Sequence, residues 1–200
     1  MATSLSFILQ PDHLALFYPL LQQGVRVEAQ VGCDIQSLLC DQFKMAPDYL
    51  ADRITTIFLN GKPVDDVTSA VVTDGATLAL SAAMPGLVGA TLRKAGCLAS
   101  FRNTISHRNE ATPAAAFEDG FITLKLFNML LPEMGPQYLA HGVWTRSREL
   151  QACLAGYPHE LETVVVRVEQ DGHALDPAKL GRLQAIGPDE PVRLQATCES

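Results

Sequence analysis

Residues 54–61, ITTIFLNG, and residues 74–89, DGATLALSAAMPGLVG, contain the strongest secondary-structure signals in this chain. The first stretch is rich in β-branched and aromatic residues and ends in Asn60-Gly61, a pair that tolerates the positive φ angles of a tight turn. Asp74-Gly75 repeats this turn chemistry, and apolar residues then alternate with more polar ones over 77–81. The sequence therefore predicts a hairpin at residue 60 and a closing strand after residue 75.

Upstream of the hairpin, the sequence predicts a strand followed by a short helix. Apolar and polar residues alternate over Val25–Val31, which is the pattern of a half-buried strand. Asp34 offers an N-cap oxygen, and apolar residues then recur at helical spacing, namely Ile35, Leu38, Leu39 and Phe43. With a first strand expected between Leu5 and Leu21, this order predicts an α+β fold of β-grasp type over residues 1–90, in which a mixed sheet packs on one short helix.

The second half of the chain repeats much of this order. Residues 91–119 form a predicted connector, because Asn103 to Asp119 is first polar and then rich in Ala and Pro. A second β-grasp-like unit is predicted over 120–200, either by duplication or by chance similarity of leucine-rich segments. The matched segments lie 110 to 118 positions apart: Leu14–Leu21 with Leu124–Leu131, Gly24-Val25 with Gly142-Val143, Ile35–Leu39 with Leu150–Leu154, Asn60-Gly61 with Asp171-Gly172, and Leu78–Leu80 with Val192–Leu194.

One segment of the second half has two open interpretations. The apolar residues of Phe121 to Leu131 fit either a strand or a helix, and Pro132 is expected to end either one. Further on, Ser147 is the expected cap of a helix and Val164–Val168 alternates as a strand.

Composition and charge limit the function classes. The 200 residues include 48% hydrophobic and 18% charged residues, which is typical of a globular protein. A net charge of −7 argues against nucleic-acid binding, because the positive residues between Arg93 and Arg108 are scattered. We find no targeting signal and no apolar run long enough to span a membrane, so we expect a cytoplasmic protein without membrane contact.

The potential metal ligands and nucleophiles form no recognisable motif. Five cysteines contain no C-x-x-C pair, and their odd number fits no closed disulfide framework. The five histidines lack paired metal-ligand spacing, and neither H-E-x-x-H nor G-x-S-x-G occurs. We therefore predict no metal, no cofactor and no catalytic residue, and expect reduced, mostly structural thiols.

The order of the elements resembles the ubiquitin-like β-grasp family of sulfur carriers, which includes the small subunit of molybdopterin synthase and the sulfur carrier of the thiamine pathway. The resemblance covers roughly residues 14–89. It rests on the strand Val25–Val31, the helix after Asp34, IFLNGKPV at 57–64 and DGATLAL at 74–80. It implies a β-grasp fold that serves as a handle for another protein, as an accessory to cofactor biosynthesis or to a metalloenzyme.

The chain departs from these carriers at the position of their reactive tail. In the carriers the last strand runs into a tail that ends in Gly-Gly, and its terminal carboxylate is adenylated and converted to a thiocarboxylate. Here MPGLVG at 84–89 has no adjacent glycine pair, and the chain continues to residue 200. The resemblance therefore implies a non-catalytic protein-interaction module, with sulfur carriage after proteolytic exposure of Gly86 or Gly89 as an alternative.

The candidate binding residues follow the closing strand. For a protein partner, we expect contact at the strand ending in Leu80 and at the loop Ala83–Arg93, and self-association through an unpaired sheet edge is a further expectation. For a small ligand or cofactor, or for an enzyme, a groove between the two halves is the alternative. In simpler interpretations Met84–Gly89 is only a turn, in which Gly86 and Gly89 take backbone conformations closed to other residues, and Trp144 is a core anchor. The predicted site residues are Met84, Pro85, Gly86, Gly89, Arg93, Arg102 and Trp144.

Overall fold

The protein is a mixed α+β structure in a computed structural model that describes residues 3–82, 86–94, 96, 106, 117–157, 159–176, 180 and 187–199. The described strands are β1 (Thr3–Leu9), β2 (Val25–Val31), β3 (Thr56–Leu59), β4 (Lys62–Pro63), β5 (Thr77–Ser81), β6 (Glu118–Phe127), β7 (Val143–Arg146), β8 (Val165–Gln170), β9 (His173–Leu175) and β10 (Pro191–Cys198).

The described helices are short, and several are not α-helical. The α-helices are α1 (Tyr18–Gln23), α2 (Gly86–Leu92), α3 (Leu130–His141), α4 (Ser147–Ala155) and α5 (Leu161–Val164), and they are accompanied by a 3₁₀ helix at Leu14–Phe17 and by π-helices at Ser37–Gln42 and Tyr49–Arg53. None of the helices in these ranges combines the length and the hydrophobicity needed to cross a bilayer.

The chain divides into two compact units. Unit 1 comprises Met1–Arg26 and Leu131–Ser200, and unit 2 comprises Val27–Leu130. Unit 1 is discontinuous because β1, at the start of the chain, pairs in parallel with β10 at its end. These units do not coincide with the limits of 1–90, 91–119 and 120–200 expected from the sequence, and those limits stay a prediction.

Unit 2 contains the predicted hairpin and closing strand. Strand β3 pairs antiparallel with β4 around Asn60 and Gly61, which have φ angles of 51° and 77°. The other side of β3 pairs antiparallel with β5, and β5 pairs in parallel with β6. Residues of β2 lie next to β6, so that the strand order in this unit is β4-β3-β5-β6-β2. The hairpin at residue 60 and the closing strand are confirmed.

The predicted helix after Asp34 is confirmed, with a wider turn than expected. Asp34 accepts a 2.8 Å hydrogen bond from the backbone N–H of Ser37, as an N-cap does. The helix is of π type from Ser37 to Gln42, and at its end the N–H of Phe43 bonds to the carbonyl of Leu38 at 3.1 Å. Buried side chains of this helix and of the strands form the core of unit 2: Ile35, Leu38, Leu39, Ile57, Leu59, Leu78, Leu80, Leu124 and Leu126.

In unit 1 the strands follow the order β7-β10-β1-β8-β9. The central pair β1 and β10 is parallel, whereas β7, β8 and β9 each run antiparallel to their neighbour in this unit. The core includes Phe7 and Phe17, whose rings meet edge to face with centroids 5.1 Å apart. The expected cap at Ser147 is wrong, because Ser147 is the first residue of α4 and Arg146 holds the N-cap position.

Three expectations about the chain order are corrected. The first strand, expected between Leu5 and Leu21, is β1 at Thr3–Leu9, and it pairs with β8 and β10, whereas the parallel neighbour of β5 is β6. Phe121 to Phe127 is strand and the helix starts at Leu130, so the proposed match of Leu124–Leu131 to Leu14–Leu21 joins unlike elements. Pro132 ends neither a strand nor a helix. It occupies the first turn of α3, where backbone N–H groups have no helical acceptor.

The connector expected over 91–119 is only partly within the described residues. Its first residues, Thr91 and Leu92, belong to α2, and its last residues, Glu118 and Asp119, begin β6. The remainder lies outside the described residues apart from 93, 94, 96, 106 and 117, so the connector stays a prediction.

Candidate functional site

A groove of about 610 Å³ lies in unit 2 on the outer face of strands β3, β5 and β6. Alternation places the core residues of these strands on one side and leaves the residues between them for the groove. The described lining residues are Phe58, Gly61, Thr77, Ala79, Leu80, Ser81, Lys125, Phe127 and Asn128.

Strand register brings these side chains together. Phe58 pairs with Ala79, and Ala79 pairs with Lys125, so that one row crosses three strands. In the next row Ser81 pairs with Phe127. Adjacent strands lie about 4.8 Å apart and residues two positions apart on a strand lie about 6.6 Å apart. The Cα atoms of Phe58 and Lys125 are therefore about 10 Å apart by this estimate.

The lining is mainly apolar, with one charged group among the described residues. Phe58 and Phe127 are half-buried, and together with Ala79 they give the groove its apolar surface. Lys125 supplies a positive charge. At one end the Asn128 side-chain amide donates a 3.0 Å hydrogen bond to Ser81 Oγ. Such a surface suits an apolar group that carries one acceptor or anion.

The position of the closing strand in the sheet limits the contacts that a partner can make with it. Strand β5 is paired on both sides, by β3 and by β6, so its backbone cannot accept a partner strand. Its outward side chains line the groove instead. Within unit 2 the two-residue strand β4 ends the order, and Pro63 in it has no N–H to donate.

The predicted loop after β5 is partly helical. Gly86 has a φ of 76°, as expected of a glycine that no other residue can replace without strain, and it begins α2. Gly89 is buried within α2 and is not among the glycines with positive φ, so the expectation of an unusual conformation there is wrong. Arg93 is exposed just after the helix. Met84, Pro85 and Arg102 lie outside the described residues.

Trp144 belongs to unit 1. It is half-buried on β7, opposite Arg193 of β10 on one side and opposite Arg26 of β2 on the other. The Arg193 guanidinium donates a 3.0 Å hydrogen bond to the carbonyl of His141, at the end of α3. The structure thus groups Gly86, Gly89 and Arg93 around one helix of unit 2 and places Trp144 between two arginines of unit 1.

A second concavity of about 560 Å³ in unit 2 has a structural explanation. Lys94 Nζ donates to the carbonyl of Leu50 at 2.9 Å, in the first part of the π-helix Tyr49–Arg53. Burial lowers the pKa of Lys94, and the negative charge of Asp52 opposes that effect. Asp65 and Asp66 in its lining are exposed, and Asp66 Oδ1 accepts a hydrogen bond from the backbone N–H of Thr68 in its own turn.

The described thiols are in their reduced form. Cys33, Cys40, Cys153 and Cys198 form no disulfide, whereas Cys97 lies outside the described residues. Burial raises the pKa of Cys33 and Cys40, and raises that of Cys153 to about 11. No group of three His, Cys, Asp or Glu side chains in the described ranges is placed to hold a metal ion.

Sequence reasoning named the strand ending in Leu80, which lines the groove, but did not single out the lining residues of the other two strands. Phe58 stands in the predicted strand before the hairpin, and Lys125 and Phe127 stand in the segment with two open interpretations. One signal could have indicated this surface, namely an aromatic residue at an outward position of an alternating strand. Such a residue either packs under another element or stays open to bind a ligand.

Comparisons with known proteins give no relative for this chain. No family model matches it, and no curated protein and no solved structure matches it either.

Proposed function

We propose that this chain is a non-catalytic protein-interaction module that holds a partner in the groove on the outer face of β3, β5 and β6. The observation that carries this proposal is the pair of half-buried aromatic side chains, Phe58 and Phe127, in an open groove of about 610 Å³. Apolar surface that remains open on a folded unit favours association, and aromatic residues often supply most of the binding energy.

We further propose that unit 2 is a β-grasp-like unit with its strands in a permuted chain order. The order strand, helix, hairpin and closing strand is present from β2 to β5, and β6 provides the remaining strand beside β5. This arrangement supports the resemblance to β-grasp sulfur carriers and a role as an accessory to cofactor biosynthesis or to a metalloenzyme. Unit 1 supports a tandem arrangement, because Asp171-Gly172 in it has positive φ angles of 51° and 80°, close to those of Asn60-Gly61.

Co-purification of the full-length chain from its native host tests the proposal. The variants Phe58→Asp and Phe127→Asp place a charge in the apolar lining and should each remove the partner found with the wild type. Val166→Asp is the matched control, because Val166 is a 45% exposed side chain of β8 outside the groove lining. Thermal unfolding shows that each variant is folded. A partner set unchanged in both groove variants contradicts the proposal.

A second candidate function is the binding of a small apolar ligand in the same groove. Its volume lies within the roughly 300–1,000 Å³ of small-molecule pockets. Native mass spectrometry of the protein from its host separates this function from the first, since a small ligand adds a discrete mass that Phe58→Asp removes. A ligand site between the two halves stays a prediction.

Sulfur carriage stays a proposal that rests on the resemblance to the carriers alone. It requires a chain that ends at Gly86 or Gly89, and Gly86 is the first residue of α2 while Gly89 is buried within that helix. Intact mass measurement of protein from the native host decides it. A species that ends at either glycine supports carriage, and full-length protein alone contradicts it.

A further inference from the structure

We infer that the segment held in the groove carries a carboxylate side chain between apolar residues, and that Lys125 is the group that recognises this carboxylate. This inference rests on the proposed function and names the chemistry of the partner. The occupant is a segment of another protein. The experiment below distinguishes such a segment from a small free ligand that carries a carboxylate.

The first argument is the charge distribution around the groove. Lys125 is the one charged residue among its described lining residues, and no lining carboxylate is available to neutralise it. Lys125 forms no ion pair or hydrogen bond with another side chain in the part of the chain that the structure describes. The chain as a whole has a net charge of −7, so a positive group in an apolar groove is a local exception. Charges of this kind fix the orientation and identity of a partner.

The second argument is the position of Lys125 relative to the two aromatic rings. Phe127 stands two residues along the same strand and Phe58 stands two strands away in the same row. By strand geometry, the Cα atoms of Phe127 and Phe58 lie about 7 Å and about 10 Å from that of Lys125. A carboxylate that reaches Lys125 therefore has apolar contact surface on two sides, which requires apolar residues flanking the acidic one.

The third argument concerns the neutral polar groups of the groove. Asn128 and Ser81 are already joined by a 3.0 Å hydrogen bond, Ala79 between Phe58 and Lys125 offers no polar group, and the hydroxyl of Thr77 lies two residues from Ala79 along β5. An uncharged polar side chain in the segment would therefore find less compensation than a carboxylate opposite the ammonium group. Because Lys125 is half-buried, we expect its charge pair to change affinity by about two- to fivefold.

A peptide selection tests the inference without knowledge of the natural partner. Random dodecapeptides displayed on phage are selected on the immobilised full-length chain, and those that also bind Phe58→Asp are discarded. We expect the remaining peptides to be enriched in Asp or Glu flanked by apolar residues. Synthetic versions should bind Lys125→Gln about two- to fivefold more weakly than wild type and Lys125→Glu more weakly still.

Lys44→Glu is the matched control, because Lys44 is an exposed lysine of unit 2 outside the groove lining, and its replacement changes the net charge equally. Acidic peptides should bind this variant as they bind wild type. Phe58-dependent peptides without acidic enrichment, or equal effects of Lys125→Glu and Lys44→Glu, overturn the inference and leave the proposed function standing. If no Phe58-dependent peptide is found while dodecanoate binds with Phe58 dependence, both the inference and the protein-docking function are wrong.

Discussion

The carboxylate of Asp74 accepts a 2.8 Å hydrogen bond from the backbone N–H of Phe121, 47 positions later in the chain. The neighbouring N–H of Gly75 donates to the carbonyl of Phe121 at 2.7 Å. Gly120 leaves room for this contact, because a Cβ atom there would lie 2.8 Å from Asp74 Oδ1. The turn before β5 thus fixes the start of β6, the strand that contributes Lys125 and Phe127 to the groove.

We predict that Asp74→Ala lowers the free energy of unfolding by about 1 kcal/mol, because the N–H of Phe121 loses its acceptor. Asp74→Asn keeps an acceptor oxygen and should lose less. Urea unfolding of the two variants measures the difference. Equal stability of Asp74→Ala and wild type would show that water replaces the carboxylate at no cost.

Gly142 stands where α3 passes into β7, and its replacement should be costly for two reasons. Its φ is 102°, which side chains rarely permit, and a Cβ atom would lie 2.9 Å from Nη2 of Arg193. We predict that Gly142→Ala destabilises the protein by about 1–3 kcal/mol.

The control for this prediction is Gly172→Ala in the same unit, since Gly172 has a φ of 80° but nothing within 4 Å of an added Cβ. It carries the conformational strain without the collision. Thermal unfolding should show a larger loss for Gly142→Ala, and equal losses would mean that the guanidinium moves aside freely.

The sequence predicted local elements better than their pairing, and the reason is physical. A hairpin at Asn60-Gly61 depends on two residues that permit positive φ, and a strand at Val25–Val31 depends on its own alternation. The local sequence pattern does not indicate that β1 pairs with β10, because this pairing joins residues from opposite ends of the chain, such as Leu5 and Leu194. For this reason the strands that lie beside β1 and β6 could not be predicted from the sequence.

The groove was missed for a related reason. Period-two alternation shows that Phe58 and Phe127 are on the opposite face from Leu59 and Leu126, but both faces of a strand can be covered. The groove exists because β5 lies between β3 and β6, and this neighbourhood depends on long-range register. Pro132 was misjudged because a proline is harmful inside a helix but harmless in its first turn.

Cys153 should make stability depend on pH in the alkaline range. Its side chain is buried on α4, Sγ donates a 3.1 Å hydrogen bond to the carbonyl of Leu16, and burial raises its pKa from 9.0 to about 11. The unfolded thiol loses its proton near pH 9, whereas the folded thiol keeps it. The stability contributed by this thiol is therefore fully present below pH 9 and is lost as the pH rises to about 11.

We predict that the urea midpoint of wild type falls between pH 9 and 11 and that Cys153→Ser shows a smaller fall. Cys198→Ser, at a half-exposed position of β10, should follow the wild type. Burial also raises the pKa of Tyr138, so the difference between the two variants is the decisive measurement. Parallel curves for Cys153→Ser and wild type would contradict the prediction.

Two buried threonines should respond in opposite directions to the same substitution. Thr56 on β3 is 1% exposed, and its Oγ1 has no hydrogen-bond partner among the described residues. Thr145 on β7 is 6% exposed, and its Oγ1 donates a 3.0 Å hydrogen bond to the carboxylate of Glu149. A buried hydroxyl without a partner costs about 1–3 kcal/mol, whereas a satisfied one contributes to stability. Valine has nearly the same shape as threonine, so each substitution mainly removes the hydroxyl.

We predict that Thr56→Val raises the free energy of unfolding by about 1 kcal/mol and that Thr145→Val lowers it by about 1 kcal/mol or more. Urea unfolding at pH 7 measures both. A loss of stability in Thr56→Val would show that its hydroxyl is hydrogen-bonded in solution.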